Sequence, residues 1–85
     1  MATYTVLLLR PDYIADEFGK DTYLTVVTTP LGAEHAVALA RTEVVKADFG
    51  PQTAEELTEA LESHAKSYAV LAVFAGAHND LNEGF

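Results

Sequence analysis

The run Tyr68–Ala75 constrains the fold of this chain more than any other segment. Its sequence, Tyr-Ala-Val-Leu-Ala-Val-Phe-Ala, carries no charge between Ser67 and Gly76. Alternate residues of a strand point to opposite faces of a sheet, and here both alternating sets are apolar. A strand of this kind needs a cover on each face, so the run indicates how the chain is folded and assembled.

Two further strands are predicted in the first third of the chain. Residues 3–9 and 22–29 are rich in Thr, Tyr, Val and Leu, which favour extended backbone. Each segment ends beside a proline, Pro11 or Pro30, and proline cannot donate to an inner β-ladder. The first of these strands is also apolar on both faces.

The segment between these strands, residues 11–21, is predicted to be a long loop. It is longer than an ordinary hairpin loop and carries Tyr13, Ile14 and Phe18 among acidic residues. A loop that holds apolar residues typically folds back on the body or meets a partner, so these three residues are predicted to bind a partner.

Two helices are predicted before the last strand. Alanine and valine recur at helical spacing over residues 33–47, and Gly50 follows as a C-terminal cap. Thr53 and Glu56 fit a capping box, in which the threonine accepts a hydrogen bond from the third backbone N–H and the glutamate reaches back. A short second helix is therefore predicted over 54–65.

These elements predict an α+β fold, a ββααβ two-layer sandwich with a small, mainly antiparallel three-stranded sheet and both helices on one face. If the first helix crosses the sheet in the favoured right-handed sense, the third strand lies beside the first and the strand order is 2-1-3. Residues 1–85 are predicted to form a single domain with a polar C-terminal tail over 76–85.

Two helices on one face leave the other face of such a sheet uncovered. A contact between two uncovered faces, or between exposed strand edges, would bury this surface in a two-fold homodimer. The chain contains no cysteine, so disulfides cannot add stability to this small core. The predicted dimer interface comprises Tyr4, Val6, Leu8, Tyr68, Val70 and Phe74, or the residues that alternate with them.

Charge and composition bear on partners and location. Thirteen acidic residues against five Lys and Arg give a formal net charge of −8, which repels nucleic-acid backbone and anionic lipid. The apolar run at the N-terminus is too short to span a membrane and lacks a basic segment before it. We therefore expect a cytoplasmic protein that binds neither nucleic acid nor membrane directly.

No residue pattern predicts catalysis or metal binding. His35, His64 and His78 lack the helical i, i+4 spacing of a zinc motif. The acidic residues of 11–21 do not follow a calcium-loop pattern, and no nucleophile elbow or phosphate-binding loop is present. The sequence thus predicts a protein without catalytic residues, metal or cofactor.

Two resemblances to known proteins can be drawn. A strand pair followed by Ala33–Arg41, Ala-Glu-His-Ala-Val-Ala-Leu-Ala-Arg, resembles the first half of HicB-type antitoxins. The Pro-Asp-x-Pro-Gly-like segment expected of that family is missing, so its roles in toxin and RNA binding are not expected. Three segments taken together, Arg10–Tyr13, the alanine-rich helix and Val73–Leu81, look more like a group of short uncharacterised bacterial and prophage proteins. This second resemblance implies no activity.

The leading functional hypothesis is a non-enzymatic interaction or regulatory protein that acts as a homodimer. One alternative is a phage-type inhibitor whose acidic surface mimics nucleic acid and occupies a binding groove of another protein. Its predicted contacts are the acidic loop over 11–21 and Glu55, Glu56, Glu59 and Glu62 of the second helix. Another alternative is a small-molecule-binding dimer with a pocket between subunits lined by Tyr13, Phe18 and Tyr23.

Overall fold

The structure is a computed structural model that describes residues 1–78, with Phe18 described in its backbone alone. Its elements are β1 (Ala2–Leu9), α1 (Asp12–Phe18), β2 (Thr22–Thr29), α2 (Ala33–Phe49), α3 (Ala54–His64), a 3₁₀ turn (Ala65–Ser67) and β3 (Ala69–Ala75). The strands form an antiparallel sheet in the order β2-β1-β3. The predicted α+β fold and strand order are confirmed, and residues 79–85 of the predicted tail lie outside the described part.

The hydrophobic core lies between the helices and one face of the sheet. The central strand β1 contributes Val6 and Leu8, and α2 lies over the sheet with Ala36 and Ala40; all four side chains are fully buried. Alanine side chains allow a helix backbone to approach a sheet closely, and so keep the two layers in tight contact. The helix therefore packs directly across β1 and β2.

This packing corrects the predicted dimer interface. Val6, Leu8 and Tyr68 are fully buried in the core of the single chain, and Tyr4 packs against it. These side chains face the helices, so Val6, Leu8 and Tyr68 have no surface to offer a second subunit. Both alternating sets of β1 are apolar, and the choice between them was made by the packing of α2.

The opposite face of the sheet is less bare than expected. Thr5 and Leu7 of β1 lie on it, paired with Phe74 and Ala72 of β3, and both β1 residues are buried in the single chain. The Thr5 hydroxyl donates to the carbonyl of Gly76 at 2.8 Å and accepts from the N–H of His78 at 2.8 Å. The chain after β3 thus folds against the centre of this face.

The predicted loop over residues 11–21 contains a helix, α1, which corrects the prediction. Pro11, with φ of −66°, precedes its first turn, and Gly19 ends it in the left-handed conformation with φ of 69°. Ile14 and Ala15 are buried on its inner side. Seven residues span only about two turns, too few for a helical period to be recognised in the sequence.

The predicted ends of the two longer helices agree with the structure in their capping residues. Gly50 caps α2 in the left-handed conformation, with its N–H bonded to the carbonyl of Lys46, and the helix runs two residues beyond the predicted Ala47. The Thr53 hydroxyl accepts from the N–H of Glu56 at 3.1 Å. The Glu56 carboxylate accepts from the N–H of Gln52 at 3.3 Å, one residue before the Thr53 N–H that a capping box would use as the donor.

Candidate functional site

A buried ion pair joins the end of β1 to the end of α2. Arg10 follows β1, and its Nε and Nη2 donate to Oδ2 and Oδ1 of Asp48 at 3.0 and 3.1 Å. The Tyr68 hydroxyl, just before β3, donates to the same Oδ2 at 2.8 Å. Asp48 therefore connects three elements that lie far apart in the sequence.

The ion pair is closed off from solvent. The side chain of Asp48 is 3% exposed and that of Arg10 is 9% exposed. Arg10 Nη1 donates to the carbonyl of Thr22 at 2.7 Å, and the guanidinium lies over the ring of Tyr23 at 5.5 Å. A buried, bidentate pair of this kind fixes geometry, because both charges are already satisfied within the chain.

Burial also shifts the pKa values of the two tyrosines in this region. Burial raises the pKa of Tyr68 well above the ordinary range of a phenol, and the hydrogen bond to Asp48 and the charge of Asp48 raise it further. Burial likewise raises the pKa of Tyr23. Both phenols are therefore held protonated at neutral pH and are poor candidates for a general base.

A second cluster lies on the surface where the helices meet. The Tyr13 hydroxyl of α1 lies 3.0 Å from Nδ1 of His64, the last residue of α3. The ring of Phe49, at the end of α2, stacks on His64 with centroids 4.3 Å apart and planes at 16°. Three side chains thus tie three helix ends together, and Tyr13 and Phe49 stay exposed.

The residues predicted to bind a partner differ in their exposure. Ile14 is buried in the core, so the prediction is corrected for that residue, whereas Tyr13 is exposed in the surface cluster. The side chain of Phe18 lies outside what the structure describes. Glu55, Glu56, Glu59 and Glu62 are all exposed along α3.

The three histidines are not brought together. Besides His64, His35 places Nδ1 2.6 Å from the hydroxyl of the buried Thr29, and His78 donates from Nε2 to the carbonyl of Ala75 at 2.6 Å. Residues 1–78 contain no group of three or more His, Asp or Glu placed to hold a metal ion. A shallow depression along α3, lined by Ala54, Glu55, Thr58 and Glu59, is widely open to solvent.

The outer side of β3 is bounded by a side-chain contact at each end. At its start, Arg41 donates from Nε and Nη2 to the carbonyl of Tyr68 at 3.3 and 3.0 Å. At its end, His78 covers the carbonyl of Ala75. Between these two contacts, the backbone of residues 69–74 makes no hydrogen bond to any described residue beyond its pairing with β1.

We call the outer side of residues 69–74 the open edge. Along it, Val70, Leu71 and Phe74 are 40%, 50% and 37% exposed. The other edge of the sheet, β2, carries four threonines and is followed by Pro30. Edge strands in folded proteins are commonly protected by charged residues or proline, and the open edge contains neither.

The signals for these features in the sequence were weak. Arg10 directly follows a strand, and Asp48 precedes a helix cap, positions at which exposed charges are ordinary. Arg41 lies on the predicted first helix, 27 residues before the carbonyl that it binds. Only the apolar run of β3 marked the open edge in advance.

Comparisons with protein-family models, with curated proteins and with solved structures found no significant match. The resemblances to HicB-type antitoxins and to prophage proteins therefore gain no support and stay predictions. Within residues 1–78, the structure has no helix both long enough and apolar enough to cross a membrane.

Proposed function

We propose that this chain is a non-enzymatic interaction or regulatory protein that acts as a homodimer in the cytoplasm. The observation that carries the proposal is the open edge, an uncharged strip with exposed Val70, Leu71 and Phe74 on a chain of net charge −8. Exposed apolar strips of this kind are typical of protein–protein contacts. Two acidic copies can approach at an uncharged strip without placing like charges in contact.

Sedimentation equilibrium of the full chain tests the homodimer. Between about 1 and 100 µM, a contact worth roughly 8 kcal/mol, which corresponds to a dissociation constant of about 1 µM, should raise the average mass toward twice 9.2 kDa as the concentration increases. Leu71→Asp should lower the mass to that of a monomer. Leu31→Asp is the matched control, because Leu31 is 70% exposed away from β3 and the variant adds the same negative charge.

A wild-type monomer across this range would overturn the homodimer, whereas equal dissociation of both variants would overturn the open edge as its interface. The non-enzymatic part is tested separately with generic ester, phosphate and glycoside substrates. Steady turnover that is abolished by changing His35, His64 or one acidic residue would overturn it. Turnover that survives all these changes would be assigned to a contaminant.

One observation favours the mimicry alternative as a second candidate. Glu55, Glu59 and Glu62 lie along α3, all exposed, and none of them is paired with a basic side chain of residues 1–78. A basic partner held by these charges should be released as the salt concentration rises, because exposed charges are screened. Capture that survives in the triple glutamine variant would exclude this function.

A further inference from the structure

The backbone of β3 points alternate hydrogen-bonding groups away from the sheet. Gly76 N–H donates to the carbonyl of Thr3 at 2.7 Å, so these residues form a hydrogen-bonded pair of the β1–β3 ladder. Hydrogen-bonded and non-hydrogen-bonded pairs alternate along an antiparallel ladder. The backbone N–H and C=O of Phe74 and Ala72 therefore point toward β1, and those of Ala75 and Val73 point away from the sheet. The contact of His78 with the Ala75 carbonyl agrees with this direction.

These outward groups define what can bind. A row of outward N–H and C=O groups is best satisfied by another extended strand, which supplies donors and acceptors at the same spacing. The β-bulge beside Leu7 and Leu8 interrupts the first part of β3. The regular part, Ala72–Ala75, lies beyond it, so an added strand would centre near Val73.

Charge and symmetry indicate a second copy of this chain as the occupant. A basic partner would bind the acidic residues of α3, a helix that packs against α2 and the 3₁₀ turn and is separate from the open edge. The open edge itself offers no charge to such a partner. Antiparallel pairing of identical edges is two-fold symmetric and closed, so one contact covers both open edges and leaves only the threonine-rich β2 edges outside.

We propose that β3 pairs antiparallel with β3 of a second copy through the outward N–H and C=O of Val73 and the outward N–H of Ala75, which joins two sheets into one six-stranded sheet; the Ala75 carbonyl keeps its bond from His78. This inference rests on the homodimer proposed above and assigns its geometry. A dimer held by side chains alone would leave the same backbone groups in water.

Residue-resolved amide exchange of the wild-type chain and of Leu71→Asp tests this pairing. In the wild-type dimer, the amides of Val73 and Ala75 should exchange at least about ten-fold more slowly than in the monomeric variant. The amides of Ala72 and Phe74, which face β1 in either state, should change much less. Leu31→Asp should give the wild-type pattern.

A second measurement needs no variant and keeps the test valid if Leu71→Asp fails to fold. An equimolar mixture of isotope-labelled and unlabelled wild-type chain should show intermolecular proton contacts between β3 backbones. A dimer in which these contacts are absent and Val73 exchanges rapidly would overturn the pairing and leave the homodimer intact. A monomer at every concentration would overturn both, and open-ended fibres would refute the closed two-fold contact.

Discussion

Replacing Asp48 by asparagine should destabilise the fold strongly. The carboxylate uses both oxygens, since Oδ1 accepts from Arg10 and Oδ2 accepts from Arg10 and from the Tyr68 hydroxyl. Asparagine offers one acceptor oxygen, so at least one donor of Arg10 or Tyr68 would face an N–H₂ group. The guanidinium, 9% exposed, would also lose its counter-charge.

The expected loss of unfolding free energy is about 3–5 kcal/mol, the range for leaving one partner of a buried pair uncompensated. A domain of 85 residues has a total stability of roughly 4–13 kcal/mol, so this variant loses a large part of it. Urea unfolding followed by circular dichroism at neutral pH should show the midpoint lowered by about 2 M or more.

Glu43→Gln is the matched control for the same chemical change on the same helix. Glu43 lies 3.8 Å from Lys46, and both side chains are about half exposed. An exposed pair of this kind contributes roughly 0–1 kcal/mol, so the control should unfold close to the wild-type midpoint. If the unfolding free energy of Asp48→Asn also lay within about 1 kcal/mol of wild type, the ion pair of Arg10 and Asp48 would not stabilise the fold as a buried pair.

Three further predictions concern stability. The raised pKa of Tyr68 means that the folded state favours the neutral phenol, so its contribution to the free energy of unfolding is complete below about pH 10, where the unfolded phenol titrates, and falls above that pH. Tyr68→Phe should flatten this alkaline loss of stability in urea melts recorded from about pH 8 to 11. Thr5→Val should cost about 1–3 kcal/mol by leaving two partly buried backbone groups, the Gly76 carbonyl and the His78 N–H, without partners. Thr28→Val, at an exposed hydroxyl pair, should cost much less in the same melts. Thr53→Ala should cost about 1 kcal/mol and speed amide exchange in α3, none of whose residues is fully buried. Thr58→Ala, which removes a hydroxyl that donates within the helix, should leave the first turn protected, and equal protection of the first turn in both variants would contradict the cap.

The sequence by itself determined the elements whose signals are local. The composition of β1, β2 and β3 and the residues that bound them predicted three strands, and Gly50 and Thr53 marked helix ends through conformational preferences of single residues. The strand order followed from the general handedness of crossovers, which restricts a chain of this pattern to few arrangements. These features depend on neighbours in the chain, so they are visible without the fold.

The tertiary structure alone decided which residues meet. Arg10 and Asp48 are 38 residues apart, and either would be an ordinary surface charge without the other. The burial of Val6, and of Thr5 beside it on the opposite face, depended on where α2 and the chain after β3 came to rest. A sequence that is apolar on both faces of a strand has no local preference between them, so long-range packing made the choice. Among residues 1–78, it left the outer side of β3 without a backbone partner.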